Sequence, residues 1–270
     1  MKFLLLVCTL FPTLLLSLDC NWTGHGQDNL WNNPANWDCN QVPGPNDAVT
    51  LNNNADPELT GDVTIQSLTT NTCTITGSGD LTVSGLCRME AGGNFTFAGD
   101  LTLNGTFRWR GGTIAGSGNV NANGTTTLDG QSRTLVNRTL RLVAGGEWSR
   151  GGFALGDNAR IEVPTGQTLT VTSSFTVFDT GDNNGIDLHG SFAGTASSGQ
   201  IRVPVVLTGA FQVGGNYRIQ GGGTFSGGEV ILATNVRLAL ENGTYEMIRA
   251  AVSVPLLKFT VPPLPTSRLP

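Results

Sequence analysis

Lysine is almost missing from this 270-residue chain, which carries Lys2 and Lys258 and no other. Charged residues make up 13% of it, where an ordinary globular chain has about a quarter. The formal net charge is −5. A nucleic-acid partner needs clustered Lys and Arg to meet the phosphates, so this composition excludes that class. Histidine is as scarce: His25 and His189 exclude a multi-histidine metal site and leave no convincing Ser/His/Asp arrangement. After the first 18 residues there is no apolar run of the roughly 18 residues that spanning a bilayer requires. Strong helix formers are also thin. Gly, at 37 residues, together with Thr, Asn and Ser takes the place of charge, and this mixture suits short strands and tight turns rather than helices. The chain is therefore expected to be all-β.

At the N-terminus Lys2 precedes an apolar run through Leu4, Leu5, Leu6, Leu10, Phe11 and Leu14 to Leu16, the pattern of a signal peptide over residues 1–18. A mature chain starting near Leu18 to Cys20 is then secreted, extracellular or at the cell surface, with no integral membrane span. Cys8 leaves with the leader, and Cys20, Cys39, Cys73 and Cys87 remain. An even number of cysteines in an oxidising compartment points to two disulfides. Three connectivities are open, and Cys20–Cys39 with Cys73–Cys87 is preferred because each pair closes a short local segment. Zinc is disfavoured, since paired C-x-x-C spacing is absent.

Apolar residues come in short alternating pairs, such as Leu81 with Val83, Leu101 with Leu103, Phe107 with Trp109, Ile161 with Val163 and Leu169 with Val171. Alternation marks half-buried strands. These strands recur too often for the hairpins of a sandwich and suit a coil of flat turns. The fold expected is a right-handed parallel β-helix, a β-solenoid, with roughly 20 residues per turn and ten to twelve turns. Stacked at strand spacing, such a coil is a rod about 50 Å long. Repetition supports it: the segment from Phe107 through Trp109 to Gly116 aligns with that from Gly146 through Trp148 to Gly156, and the two Trp lie 39 residues apart. The division expected is a Trp-rich N-terminal cap over residues 19–60, a solenoid over 61–250 and a Pro-rich tail over 251–270.

The N-terminal block reads Trp22-Thr-Gly24, then Trp31-Asn-Asn-Pro34-Ala-Asn36-Trp37, then Val42-Pro43-Gly44-Pro-Asn-Asp47-Ala-Val49. This order resembles the opening segment of large secreted repeat proteins of microbial surfaces, adhesin-like and autotransporter-passenger-like. The later W-x-G-G-T-I-x-G-x-G unit resembles their β-solenoid repeats, and the likeness covers most of residues 21–250. It implies a surface or matrix role, in which the solenoid displays or spaces adhesive regions and meets extracellular glycans or surface proteins. This chain departs from the pattern in its shortness, its four cysteines and the lack of a recognisable barrel or sorting signal.

Among candidate sites, the segment Asp179-Thr-Gly-Asp182-Asn183-Asn184-Gly185-Ile-Asp187 could offer Asp179, Asp182 and Asp187 as weak Ca²⁺ ligands. Its spacing fails the EF-hand template, and Asp-Asn-Asn-Gly reads more simply as a tight turn. No other cofactor is indicated. Trp109 and Trp148 are either sugar-stacking platforms or, as their alternation favours, an aromatic ladder inside the coil. Thr-x-Thr pairs are too irregularly spaced for an ice-binding array. Asn21, Asn94, Asn104, Asn123, Asn137 and Asn242 each open an N-x-Thr triplet, possible glycosylation acceptors in a eukaryotic host. The function expected is a secreted or cell-surface, non-enzymatic structural or adhesive element. The alternative is a polysaccharide-binding module, or a polysaccharide lyase or hydrolase on a β-helix scaffold.

Overall fold

The structure, a computed structural model, describes residues 17–253. The leader expected over 1–18 and the tail expected over 251–270 therefore fall almost wholly outside the described residues. Within them, alternation becomes a parallel β-solenoid of three sheets with twelve, ten and ten strands, every strand pairing in parallel with those one turn before and after. We label the three sheets 1, 2 and 3, and from Ala48 the chain visits them in the order 1, 3, 2: sheet 1 takes Ala48–Leu51, sheet 3 takes Glu58–Leu59, sheet 2 takes Val63–Ile65, and the cycle then repeats. From Ala48 onward, paired residues on successive turns lie 18 to 25 positions apart.

Period-two alternation drives the packing. In Leu81–Val83, Leu101–Leu103 and Phe107–Trp109 the outer residues of each triplet are buried and the middle one is half-buried. Inward residues stack into columns: Leu81, Leu101, Val120, Leu140 and Ile161 form one on sheet 2. On sheet 1, Trp109, Leu128, Trp148 and Val171 form another, so the two Trp sit two turns apart. Both are inside, at most 1% exposed, and each indole N–H donates to a carbonyl at the following corner, Trp109 to Gly111 and Trp148 to Gly151, both at 2.9 Å. The internal-ladder reading therefore holds and the sugar-platform reading of these two Trp does not.

Corners need backbone with positive φ, which Asn tolerates better than other residues with a side chain. Asn137, Asn158 and Asn183 all have φ near +55° on successive turns. Their side-chain amides bond to one another, Asn158 to Asn137 at 3.4 Å and Asn183 to Asn158 at 3.3 Å. Gly79, Gly99 and Gly118 stack at a second corner, where an added Cβ would collide with the carbonyl of the turn below.

The N-terminal cap closes the first turn with aromatic rings. Trp37 lies edge-on to Trp22 at 5.0 Å and to Trp31 at 4.8 Å, and its indole N–H donates to the Trp31 carbonyl. Buried Asp47, from the V-P-G-x-x-D stretch, accepts backbone N–H bonds from Leu18 and Gly44, both at 2.8 Å. Solenoid pairing begins earlier than the expected boundary at 61, since Ala48–Leu51 already pairs with Ser67–Thr70. It also runs past 250, because Ala251–Ser253 pairs with Glu229–Leu232. Among the described residues, no helix is long and apolar enough to cross a membrane.

Cys20 and Cys39 form a disulfide, as expected. The second expected pair, Cys73–Cys87, is not formed: both are buried free thiols. Cys73 lies on sheet 3 opposite Gly93, and Cys87 lies in the sheet 1 column between Leu68 and Phe107. Each thiol fills its own inward position, and neighbourhood in sequence does not supply the facing Cβ vectors a disulfide requires. Burial pushes the Cys73 thiol up to about 11 and the Cys87 thiol up to about 12, so neither is a ready thiolate.

Candidate functional site

The three aspartates of the Asp179–Asp187 segment are not drawn together. Asp179 ends a strand of sheet 3 and Asp187 lies in Gly185–Leu188 of sheet 2, across a corner. Asp187 is engaged by Arg160, whose Nε donates to it at 2.5 Å, and Asp179 accepts from the Asn184 amide at 2.7 Å. Asp182 is on the corner itself, its backbone N–H donating to the Asp157 carboxylate. Asn184 is the peg of this turn: it is buried, its amide nitrogen also reaches the Leu155 and Gly181 carbonyls, and its oxygen accepts the Ala159 N–H. The tight-turn reading thus describes the segment, and no group of three His, Cys, Asp or Glu side chains able to hold a metal occurs among the described residues.

The outer faces carry organised charge. On sheet 1 and its flank, Glu90 lies between Arg88 and Arg110, and Asp129 between Arg108 and Arg110. The Arg108 guanidinium holds the Asp129 carboxyl below its ordinary range. On sheet 2, Arg141 pairs with Glu162 at 3.1 Å, next to the Arg160–Asp187 pair. Such exposed pairs contribute little stability each, about 0–1 kcal/mol.

Sheet 3 differs. A groove of about 490 Å³ opens on its outer side, where Thr176, Gln200 and Arg218 follow one another on successive turns. Phe178, 39% exposed, forms one wall, with the Arg202 guanidinium 5.1 Å from its ring centroid. Ser174, Ser198 and Asn216 line the other side. Gly152 and Gly199 form part of the lining, and a side chain on Gly199 would collide with the Phe175 ring. A second depression of about 220 Å³ shares Asn216 and Arg218 with it and adds Arg237. No carboxylate or imidazole lines either. Arg202, Arg218 and Arg237 take part in none of the ion pairs of the described residues.

Sequence reasoning did not single out Phe178, Gln200, Arg202 or Arg218. The available signal was the inward column Phe175, Gly199 and Tyr217, which, once aligned, places Thr176, Gln200 and Arg218 on one outward line.

The N-x-Thr asparagines are spread over the whole rod. Asn104, Asn123, Asn137 and Asn242 are exposed at corners, Asn21 is exposed in the cap, and Asn94 is half-buried on sheet 3 between Thr74 and Thr113. Two of the side-chain nitrogens already donate, Asn21 to Asp38 and Asn123 to Asn104, both at 2.8 Å. Comparison of the chain with protein-family models, with curated proteins and with solved structures finds no match.

Proposed function

We propose that this protein is an extracellular, non-enzymatic structural and adhesive rod, which presents ligand-binding surfaces on the outside of a stiff coil. The observation that carries the reading is the uninterrupted three-sheet parallel stack, whose interior is filled by side-chain columns from Val49 to Val230. With the inside occupied, recognition belongs to the outward residues, and a coil locked turn upon turn holds them at fixed spacing along its axis. Secretion is supported by the apolar N-terminal run and by the Cys20–Cys39 disulfide, a bond that persists in oxidising compartments. Absence of turnover is supported by the sheet 3 groove, whose Ser, Thr, Gln, Asn and Arg side chains can hold a ligand yet include no group suited to general acid or base work at neutral pH.

The test is incubation of the purified secreted chain with a panel of immobilised and soluble polysaccharides, with and without Ca²⁺, following both retention and release of new reducing or unsaturated ends. Retention without product is expected. Time-dependent release of oligosaccharides would overturn the non-enzymatic reading.

A further inference from the structure

We infer that the groove on sheet 3 is a binding site for an anionic polysaccharide, with Arg218 and Arg202 meeting its acidic groups and Phe178 stacking on a sugar face. The inference rests on the adhesive reading above and specifies its ligand class and its site.

Charge is the first argument. The chain as a whole is acidic, at −5, and on sheets 1 and 2 Arg88, Arg108, Arg110, Arg141 and Arg160 each have a carboxylate within 4.0 Å. Exposed Arg150 and Arg249 lack one, and so do Arg202, Arg218 and Arg237, which are exposed together on the third face, Arg202 donating to the Gln200 side-chain oxygen at 3.1 Å. The nearby acids are already engaged: Asp179 holds Asn184, and Glu241 accepts from Gln220 at 3.2 Å. An exposed guanidinium cluster without a protein counter-ion offers planar forks to an external anion, and the fork geometry fits carboxylate, sulfate or phosphate.

Shape and lining decide between anions. Thr176, Gln200 and Arg218 occupy successive turns, so the groove runs along the coil axis and presents a polar group at each strand spacing of about 4.8 Å. That suits an extended polymer better than a compact ion. The hydroxyls of Ser174, Ser198 and Thr176 and the amides of Gln200 and Asn216 supply donors and acceptors in the mixture that sugar hydroxyls require. Phe178 adds an exposed aromatic ring, held by Arg202 and flanked by Gly152, where no side chain blocks approach. Aromatic wall, amide and hydroxyl floor and unpaired arginine together match an acidic sugar chain more fully than an acidic peptide.

The experiment measures binding of the secreted chain to polygalacturonate, dextran sulfate, neutral dextran and polyglutamate at low and high salt. It is repeated for Arg218→Gln, Phe178→Ala and, as a control on sheet 2, Arg141→Gln. All three positions are outward-facing, and circular dichroism confirms the fold of each variant. Expected is salt-sensitive binding to polygalacturonate or dextran sulfate, the stronger of the two identifying carboxylate or sulfate. Binding should weaken at least tenfold in Arg218→Gln and at least fivefold in Phe178→Ala, and stay unchanged in Arg141→Gln. Equal binding of neutral dextran overturns the charge requirement, and equal or tighter binding of polyglutamate reassigns the groove to a protein partner. Wild-type binding by both groove variants overturns the site while leaving glycan adhesion intact. Absence of binding to all four polymers by a chain that is retained on other glycans overturns this inference alone. The adhesive reading fails separately, by absence of retention on every polysaccharide of the panel.

Discussion

Two arginines show how far a single residue can depart from its type. Arg133 and Arg138 are at most 2% exposed, inside the coil, with no carboxylate ion-paired to either among the described residues. Each guanidinium is satisfied by backbone carbonyls. Arg138 donates to Ala115 at 3.0 Å, to Gly99 at 2.9 Å, to Asn119 at 3.4 Å and to Phe97. Arg133 donates to Trp109, Gly152 and Arg150. The planar heads also lie over Phe97 and Phe153, at 4.8 and 5.1 Å. Burial pushes both side chains down to about 10, which still leaves them cationic at neutral pH. These two residues close corners where three turns present their carbonyl oxygens to the interior, and buried acceptors without a donor are costly. Arg138→Met should therefore destabilise the protein by about 2–4 kcal/mol, since several acceptors are orphaned together. Arg141→Met, on the solvated face, should cost less than about 1 kcal/mol. Denaturant midpoints for the two variants check this, and equal shifts would mean that water or a neighbouring turn replaces Arg138.

At the scale of the element, the cap carries two of the carboxylates through which stability follows pH, beside Asp129 on the coil. Asn36 and Asn33 hold the Asp28 carboxyl below its ordinary range, and the Asn21 backbone and side chain do the same for Asp38. A carboxylate depressed in the folded state contributes stability that is complete above its unfolded value and is lost as pH falls through the folded one. The cap bonds should thus weaken below about pH 4. Titration should shift Trp emission, through Trp22, Trp31 and Trp37, before the far-ultraviolet strand signal falls, because Trp109 and Trp148 remain enclosed until the sheets separate. Simultaneous loss of both signals would show that cap and coil melt as one unit. Which of these elements can be read from the sequence follows from how local their cause is. Leu81 with Val83 and Phe107 with Trp109 announce strands because alternation is a property of the strand alone. The Trp cluster announces a cap for a similar reason. Arg133 and Arg138 announce nothing, because their acceptors come from turns up to 41 residues away. Cys73 and Cys87 look like a pair by spacing and part company only once sheet assignment is known. The groove is hidden for a further reason: from Phe175 to Gly199 the step is 24 residues and from Gly199 to Tyr217 it is 18. No single period aligns Thr176, Gln200 and Arg218.

On the scale of the whole molecule, stacking makes the protein nearly one-dimensional, since the strands of each turn pair only with those of the turns above and below. The turn is then the unit that can be removed, and the uneven turn lengths say where the cuts must fall. Ile161 pairs with Ile186, and Leu140 pairs with Ile161. Deleting residues 161–185 removes one complete turn, the longest, and lets Ile186 land directly on Leu140. Arg141, which now faces Glu162, would face Asp187, so the outward charge pattern is retained along with the inward column. Deleting residues 161–173 instead removes about half a turn. It would carry strands of one sheet onto the corner of another, put Ser174 where Ile161 belongs and turn Phe175 outward in the place of Glu162. The first deletion should give a folded, cooperatively unfolding protein whose scattering profile is shorter by about one strand spacing, near 4.8 Å. The half-turn deletion should lose cooperative unfolding and aggregate through its unpaired strand edges. It should fail even though it removes fewer residues. If both variants fold, length alone would not matter and the columns would have to be able to slip. If neither does, the Asn184 peg and its bonds to Leu155 and Ala159 would be a nucleus the rest of the coil cannot replace.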